Sequence, residues 1–214
     1  MAHVSLASVL IGAATAVAGP PVETDDPFTP GTGRWEIAYA SEFESHGNHW
    51  ELQPQADINR GIGDNIQLKL KPRLVITRSP EQVTLAGAGN IQAGIKWRIL
   101  DDSLRGIALS VYPQLDVNPP GDSVRRNLVD RGTDFQLPLE VARYLGDTLV
   151  YAELGYTWRE LRPNRWVAGV AGEWKLNQRL DIVAELRRVA ERDWRDAELA
   201  TRIGMKWRIG EQWT

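Results

Sequence analysis

The sequence predicts an all-β fold: a closed antiparallel transmembrane β-barrel of about ten strands in up-and-down order. Three observations predict it. Polar and apolar residues alternate with a period of two through almost everything after Thr32. The links between the alternating runs are short and long by turns. Tryptophans fall near the ends of the runs, in the apolar phase, and not at their centres.

The amino terminus is read first. Val4 to Ala18 carries no charge. A helix needs about 20 apolar residues to span a bilayer, so this run is too short to cross but fits the apolar core of a signal. Ala16-Val17-Ala18 is a small-x-small cleavage pattern, so residues 1–18 are expected to be a signal peptide for export. Residues 19–32 are rich in Pro, Thr and Asp and suit neither a regular helix nor a central strand. They are expected to form an extended periplasmic lead-in, with the barrel over 33–214.

Within the barrel the first run places Trp35, Ile37, Tyr39 and Phe43 opposite Glu36 and Glu42. The second sets Trp50, Leu52, Pro54, Ala56 and Ile58 against Glu51, Gln53, Gln55, Asp57 and Asn59. The third is the clearest, with Ile66, Leu68, Leu70, Pro72, Leu74 and Ile76 against Gln67, Lys69, Lys71 and Arg73. Ile91 to Ile99 and Ile107 to Val117 follow, then Phe135 to Val141, Val150 to Trp158, Trp166 to Leu176, Leu180 to Leu186 and Leu199 to Ile209. Most of these runs have roughly the nine to twelve residues that a tilted strand needs to cross hydrocarbon. Propensity alone would allow a helix near Leu180 to Ala190, but the period there is two and a strand is expected. Pro54, Pro72 and Pro113 oppose a continuous ladder, because proline lacks the N–H that a central strand donates; bulges are expected to absorb them.

The short connections are 61–65, 101–106, 146–147 and 177–179, and the longer ones 45–48, 79–89, 118–133, 161–164 and 191–195. Short turns on one rim and long loops on the other, with an even strand count, put both termini on the short-turn rim. A soluble two-sheet sandwich alternates too, so the faces must decide. Following strand direction, Trp35, Trp97, Trp174 and Trp207 fall near the short-turn rim, and Trp50, Trp158 and Trp166 near the other. Two aromatic girdles with aliphatic residues between them match the two interfaces of a bilayer. The polar phase would then line the interior, with Lys69, Arg73, Lys96, Arg98, Glu140, Glu153, Arg159, Glu173 and Arg202 as lumen-lining residues. Glu36 and Glu42 of the first strand would meet Arg202, Lys206 and Arg208 of the last, which favours closure.

Gly19-Pro20-Pro21-Val22-Glu23-Thr24-Asp25-Asp26-Pro27, followed by Gly33-Arg34-Trp35-Glu36-Ile37, resembles the amino-terminal signature of the outer-membrane β-barrel family of meta-pathway phenol-degradation transporters. Asn65-Ile66-Gln67-Leu68 and Gly94-Ile95-Lys96-Trp97-Arg98 resemble that family's later strand motifs, in a form generic to barrels. The resemblance implies an exported barrel that moves small, often aromatic, compounds, and it brings no catalytic residues. The chain departs from the pattern at its end, where Trp213-Thr214 replaces a terminal aromatic residue.

Composition removes several other classes. Among 214 residues there is no cysteine, which excludes disulfides, thiolate metal sites and thiol nucleophiles. The balance of 25 bases against 28 acids lacks the basic surplus of a nucleic-acid binder. His46 and His49 share a corner with Glu44 and Glu51, but no third strong metal ligand joins them, and no metal or cofactor is expected. No histidine falls within a strand, so base-assisted nucleophilic catalysis is not expected and the chain is read as a non-enzyme. Asp25-Asp26 before Pro27 reads as a turn, and Ser123 to Arg126 as a solvated loop tip. The expected role is passive transport or binding of small organic solutes through a narrow charged lumen. The expected partners are outer-membrane lipid, the barrel-assembly machinery and a small organic solute. The alternative is a non-transporting structural or surface-interaction barrel that acts through its loops, chiefly 118–133.

Overall fold

The structure is a computed structural model that describes residues 22–46, 49–78, 84–102, 104–118, 121–191 and 197–207. The expected signal peptide and the chain end with Arg208 and Trp213 lie outside the described residues. The fold is all-β. Its strands are β1 (Trp35–His46), β2 (His49–Ile62), β3 (Ile66–Arg78), β4 (Leu85–Asp102), β5 (Ile107–Val111), β6 (Gln114–Val117), β7 (Thr133–Leu145), β8 (Thr148–Arg159), β9 (Arg165–Lys175), β10 (Leu180–Glu191) and β11 (Ala197–Trp207). A helical turn, α1 (Asp122–Arg125), lies in the loop between β6 and β7. Every paired neighbour is antiparallel, and the sheet runs β1-β2-β3-β4-β5-β7-β8-β9-β10-β11.

The strand count is eleven where the alternation suggests about ten. The fifth run breaks at Tyr112-Pro113 into β5 and β6, which share one place between β4 and β7. The wall continues through the break, because Tyr112 N donates to Pro138 O and Ile95 N donates to Pro113 O. The other prolines also mark ladder defects. The β3–β4 register shifts between Pro72 and Leu74, and the β2–β3 pairing passes from Leu52↔Ile76 to Gln55↔Arg73 across Pro54. A missing N–H accounts for each defect. The segment 180–191 is a strand, as its period of two requires. At the β7–β8 connection Leu145 faces Thr148, and Gly146 takes φ 64°, the left-handed geometry that a two-residue hairpin demands.

The two faces have opposite polarity, and the sense is inverted relative to a water-soluble sheet. Ile95, Lys96 and Trp97 are successive residues with exposures of 51%, 1% and 53%. The same sense recurs on most of the long strands. Leu68, Leu70, Leu74, Leu137, Leu139, Leu154, Val170 and Leu186 are exposed, while Asp57, Glu140, Glu153, Asp181 and Glu185 are buried. The sheet is curled with the charged face inward. Asp25 pairs with Lys69 on β3 and Lys96 on β4, while Glu23 pairs with Arg187 on β10 and Arg202 on β11. Residues 23 and 25 are at most about 7 Å apart along a chain, whereas in a flat sheet β3 and β11 would stand roughly 30 Å apart. Toward the short-turn end the interior is apolar, with Val22, Ala142, Leu149, Tyr151, Ala171 and Val183 packed together and Phe28 against them.

Candidate functional site

The concave face carries a network of charges, and a segment of the chain itself sits in it. Residues 22–32 form a strap that enters at the short-turn rim. There Gly33 N donates to Gly61 O, and the Thr29 and Thr32 hydroxyls donate to Asp64. An extended lead-in apart from the strands is expected for this segment; in the structure it lies inside the curl. Thr24 donates from both N and Oγ1 to Glu185 Oε1, at 2.6 and 2.5 Å. Asp25 N donates to Glu153. The Lys96 ammonium group donates to the Asp26 carbonyl. Asp26 does form the local turn that its place before Pro27 suggests, its Oδ1 accepting from Phe28 N.

All nine residues expected to line the interior are buried or half-buried. Lys69, Lys96, Glu140, Glu153 and Arg202 belong to the network around the strap. Lys96 bridges Glu140 and Asp25 at 3.1 and 3.2 Å, and Lys69 bridges Asp57 and Asp25 at 3.1 and 3.4 Å. Arg202 joins Glu185 and Glu23. The other four stand apart from it. Arg73 donates to Gln55. Arg98 pairs with Asp101 and donates to the Asp64 carbonyl at the short-turn rim. Arg159 pairs with Asp134 at the long-loop rim, and Glu173 pairs with Lys206.

Sequence reasoning missed the strap carboxylates Glu23 and Asp25, and it did not single out the wall residues around them: Asp57, which shares Lys69 with Asp25, Glu185, which accepts from the Glu23 and Thr24 amides, Arg187, which pairs with Glu23, and Tyr112, whose ring lies 4.8 Å from Lys96 Nζ and 5.3 Å from Lys69 Nζ. A signal for the strap does exist. Gly61 and Gly169 interrupt strands, and a Cβ at either would overlap the strap, at the Gly31 carbonyl and at Thr24 Oγ1. Strand-interior glycine marks close approach of another backbone.

The cations around the strap set its titration. Burial pushes the Asp25 carboxyl up, but Lys96 and Lys69 overcome it and hold the group below the usual carboxylate range. Burial likewise raises Glu23, and Arg187 with Arg202 brings it net downward. Asp26 is raised, by burial and by the charge of Asp25. A depressed carboxyl stabilises docking above its unfolded pKa, about 4, and that contribution disappears as pH falls through the docked value. Asp26 acts oppositely, because its ionisation opposes docking. Hydrogen-exchange protection of the Thr24 amide, corrected for intrinsic exchange, should therefore hold or increase from pH 7 to about 4.5 and collapse only at lower pH. A monotonic loss of protection starting near neutrality would contradict this assignment.

The tryptophans occupy the outward phase. Trp35, Trp97, Trp158 and Trp174 are exposed, and Trp50 and Trp166 are half-buried. Trp207 ends β11 with its backbone opposite Leu180; its side chain lies outside the described residues. The long-loop end carries a run of ring contacts. Trp158 stacks on Phe135 at 5.5 Å, and Tyr156 meets Trp158 and Trp166 edge-on at 4.8 and 4.7 Å. Tyr156→Leu keeps apolar bulk but removes two ring pairs, so a loss of about 1–3 kcal/mol is expected in a denaturant titration. The loop 118–133 is not a solvated tip throughout. Ser123 and Leu128 are buried, and a Cβ at Gly87 on β4 would clash with both. The outer side of that turn, with the Asp122–Arg125 pair, is exposed. Contrary to the expectation that no histidine falls within a strand, His46 ends β1 and His49 opens β2, and the two face each other in register because the hairpin ladder runs to the last residue before the turn.

The fold and site together define a class: an up-and-down antiparallel sheet, curled around its own charges, with its apolar side chains outward. No protein-family model matches the chain, and no curated protein matches it either.

Proposed function

We propose that the chain is an outer-membrane β-barrel that binds small organic solutes in a narrow charged interior and gives them passive passage. The observation that carries this reading is the inverted polarity: large aliphatic and aromatic side chains outward, buried ion pairs inward. An apolar outer surface on this scale is stable in hydrocarbon and a liability in water. Membrane insertion in turn requires β1 and β11 to pair, since an open sheet edge does not survive in lipid. The two strands, Trp35–His46 and Ala197–Trp207, are of matching length. Glu36 and Glu42 on one and Arg202 and Lys206 on the other supply opposite charges to that seam. The solute class comes from the resemblance of residues 19–37 to the phenol-degradation transporters.

The test has two stages. A closed barrel in detergent should migrate faster unheated than boiled on a denaturing gel, and one mobility under both conditions would refute closure. Planar-bilayer recording should then show small discrete conductance steps, and silence across a range of solutes would refute passage. A second reading, a barrel that acts only through its surface, is favoured by the strap that fills the interior. Deleting part of 118–133 separates the two readings: lost partner binding with unchanged permeability supports the second.

A further inference from the structure

The strap meets the interior through a repeated device. Each of four wall cations holds one carboxylate from the wall and one from the strap. Lys69 has Asp57 and Asp25, and Lys96 has Glu140 and Asp25. Arg187 has Glu153 and Glu23, and Arg202 has Glu185 and Glu23. Each strap carboxylate thus bridges two pairs that the wall forms by itself. A strap that leaves does not strand a buried charge, because every cation keeps its wall partner, and the large penalty for an unpaired buried ion does not arise. Hydrogen-bonding capacity is also left over. Tyr112 Oη and Arg187 Nη1 are buried without a hydrogen-bond partner among the described residues. Gly61 and Gly169 supply the room, and the segment that fills it is peptide with two acidic side chains.

We propose that the strap is a stand-in for a soluble ligand: Lys69 with Lys96, and Arg187 with Arg202, form a two-part site for a small organic dicarboxylate, which enters as the strap withdraws. The cations are already oriented by their wall carboxylates, so the ligand inherits a formed site. Binding of the dicarboxylate and docking of the strap are mutually exclusive, and strap release is the step that opens the interior. This inference rests on the reading of the interior as a solute site and names the solute's chemistry.

The absence of cysteine from the chain makes a direct test available. In Thr24→Cys/Gly169→Cys the position of a Cβ at 169 lies 3.1 Å from Thr24 Cβ. That is a few tenths of an ångström short of the disulfide range of about 3.5–4.5 Å, so a slight shift of the strap allows the bond. The full-length chain in detergent is titrated calorimetrically with phthalate, and with phenol as the neutral control. The oxidised variant should bind no phthalate, and reduction should restore binding in the same sample. Glu23→Gln/Asp25→Asn, which keeps the strap in the chain but weakens its docking by removing its charges, should bind phthalate at least about tenfold more tightly than the native chain. Equal phthalate binding by the oxidised and reduced forms would overturn the proposal. So would a Glu23→Gln/Asp25→Asn chain, folded by gel mobility, that binds phthalate no better than the native chain or no better than phenol. Flux into liposomes separates this inference from the broader reading. Strap-dependent phthalate binding without flux removes passage and leaves the site. Flux that persists with the disulfide closed removes the strap as a barrier and leaves passage.

Discussion

Leu139→Arg is expected to destabilise the folded chain by about 2–4 kcal/mol in a phospholipid bilayer. Leu139 is the central residue of β7 and pairs with Val111 on one side and Leu154 on the other. It is 46% exposed, and all three side chains belong to the outward row. For a half-exposed leucine facing water, arginine would change stability by less than about 0.5 kcal/mol, because its head stays hydrated and its stem covers the same surface. In the bilayer midplane the guanidinium must be dragged to an interface or surrounded by defect water, and the penalty is several times larger. The measurement is a urea titration of the reconstituted protein, with folded and unfolded forms read by gel mobility. Depth is the internal control. The same substitution at Leu145, the last residue of β7, should cost about 0–1 kcal/mol because the charge already lies at the interface. Equal effects at 139 and 145, both near zero, would mean that the apolar face meets water, and the membrane reading would fall.

That contrast also explains why the fold was legible in the sequence and the strap was not. Period-two alternation is a local property of each strand. It needs no knowledge of neighbours, so Ile66 to Ile76 or Trp166 to Leu176 declares both its conformation and its two faces. Even the position of the defects was local, since Pro72 and Pro113 each removed a donor and the ladder gave way beside them. Which cation meets which carboxylate is a different kind of question. Lys96 finds Glu140 because β5 separates their strands in the sheet, and both find Asp25 because the sheet curls. No spacing along the chain encodes that. The lead-in looked structureless because Pro20, Pro21, Pro27 and Pro30 forbid regular elements. Such a segment still orders when a charged surface satisfies its backbone and side chains, as Glu185 does for Thr24. Among the described residues of the second half, the glycine at 169 is the one whose added Cβ would meet the strap. It is readable only once the partner on its inner side is known.

Lys96→Met should cost about 3–5 kcal/mol, the largest loss expected from a single interior residue, because it deletes the cation of a buried pair and leaves the anions behind. Lys96 is almost wholly buried, and so is Glu140, whose other contacts are a hydrogen bond from Ser110 Oγ and an Oε1 with no partner among the described residues. Methionine fills the volume but not the role. Glu140 and Asp25 would then face each other across an apolar side chain, and the Asp26 carbonyl would lose its donor. Two outcomes are tied together. Global stability should fall, and the strap should loosen, seen as lost exchange protection at the Thr24 amide. Adding Glu140→Gln to Lys96→Met removes one stranded charge and should recover about half of the loss or more, since replacing both members of a buried pair is far milder than replacing one. It should not restore the strap, because Asp25 still lacks one of its two cations. If the double substitution is as damaging as the single one, the loss comes from packing around Tyr112 and not from charge. If Lys96→Met costs less than about 1 kcal/mol, water reaches the site and screens it, and the interior is then open around the strap, not filled by it.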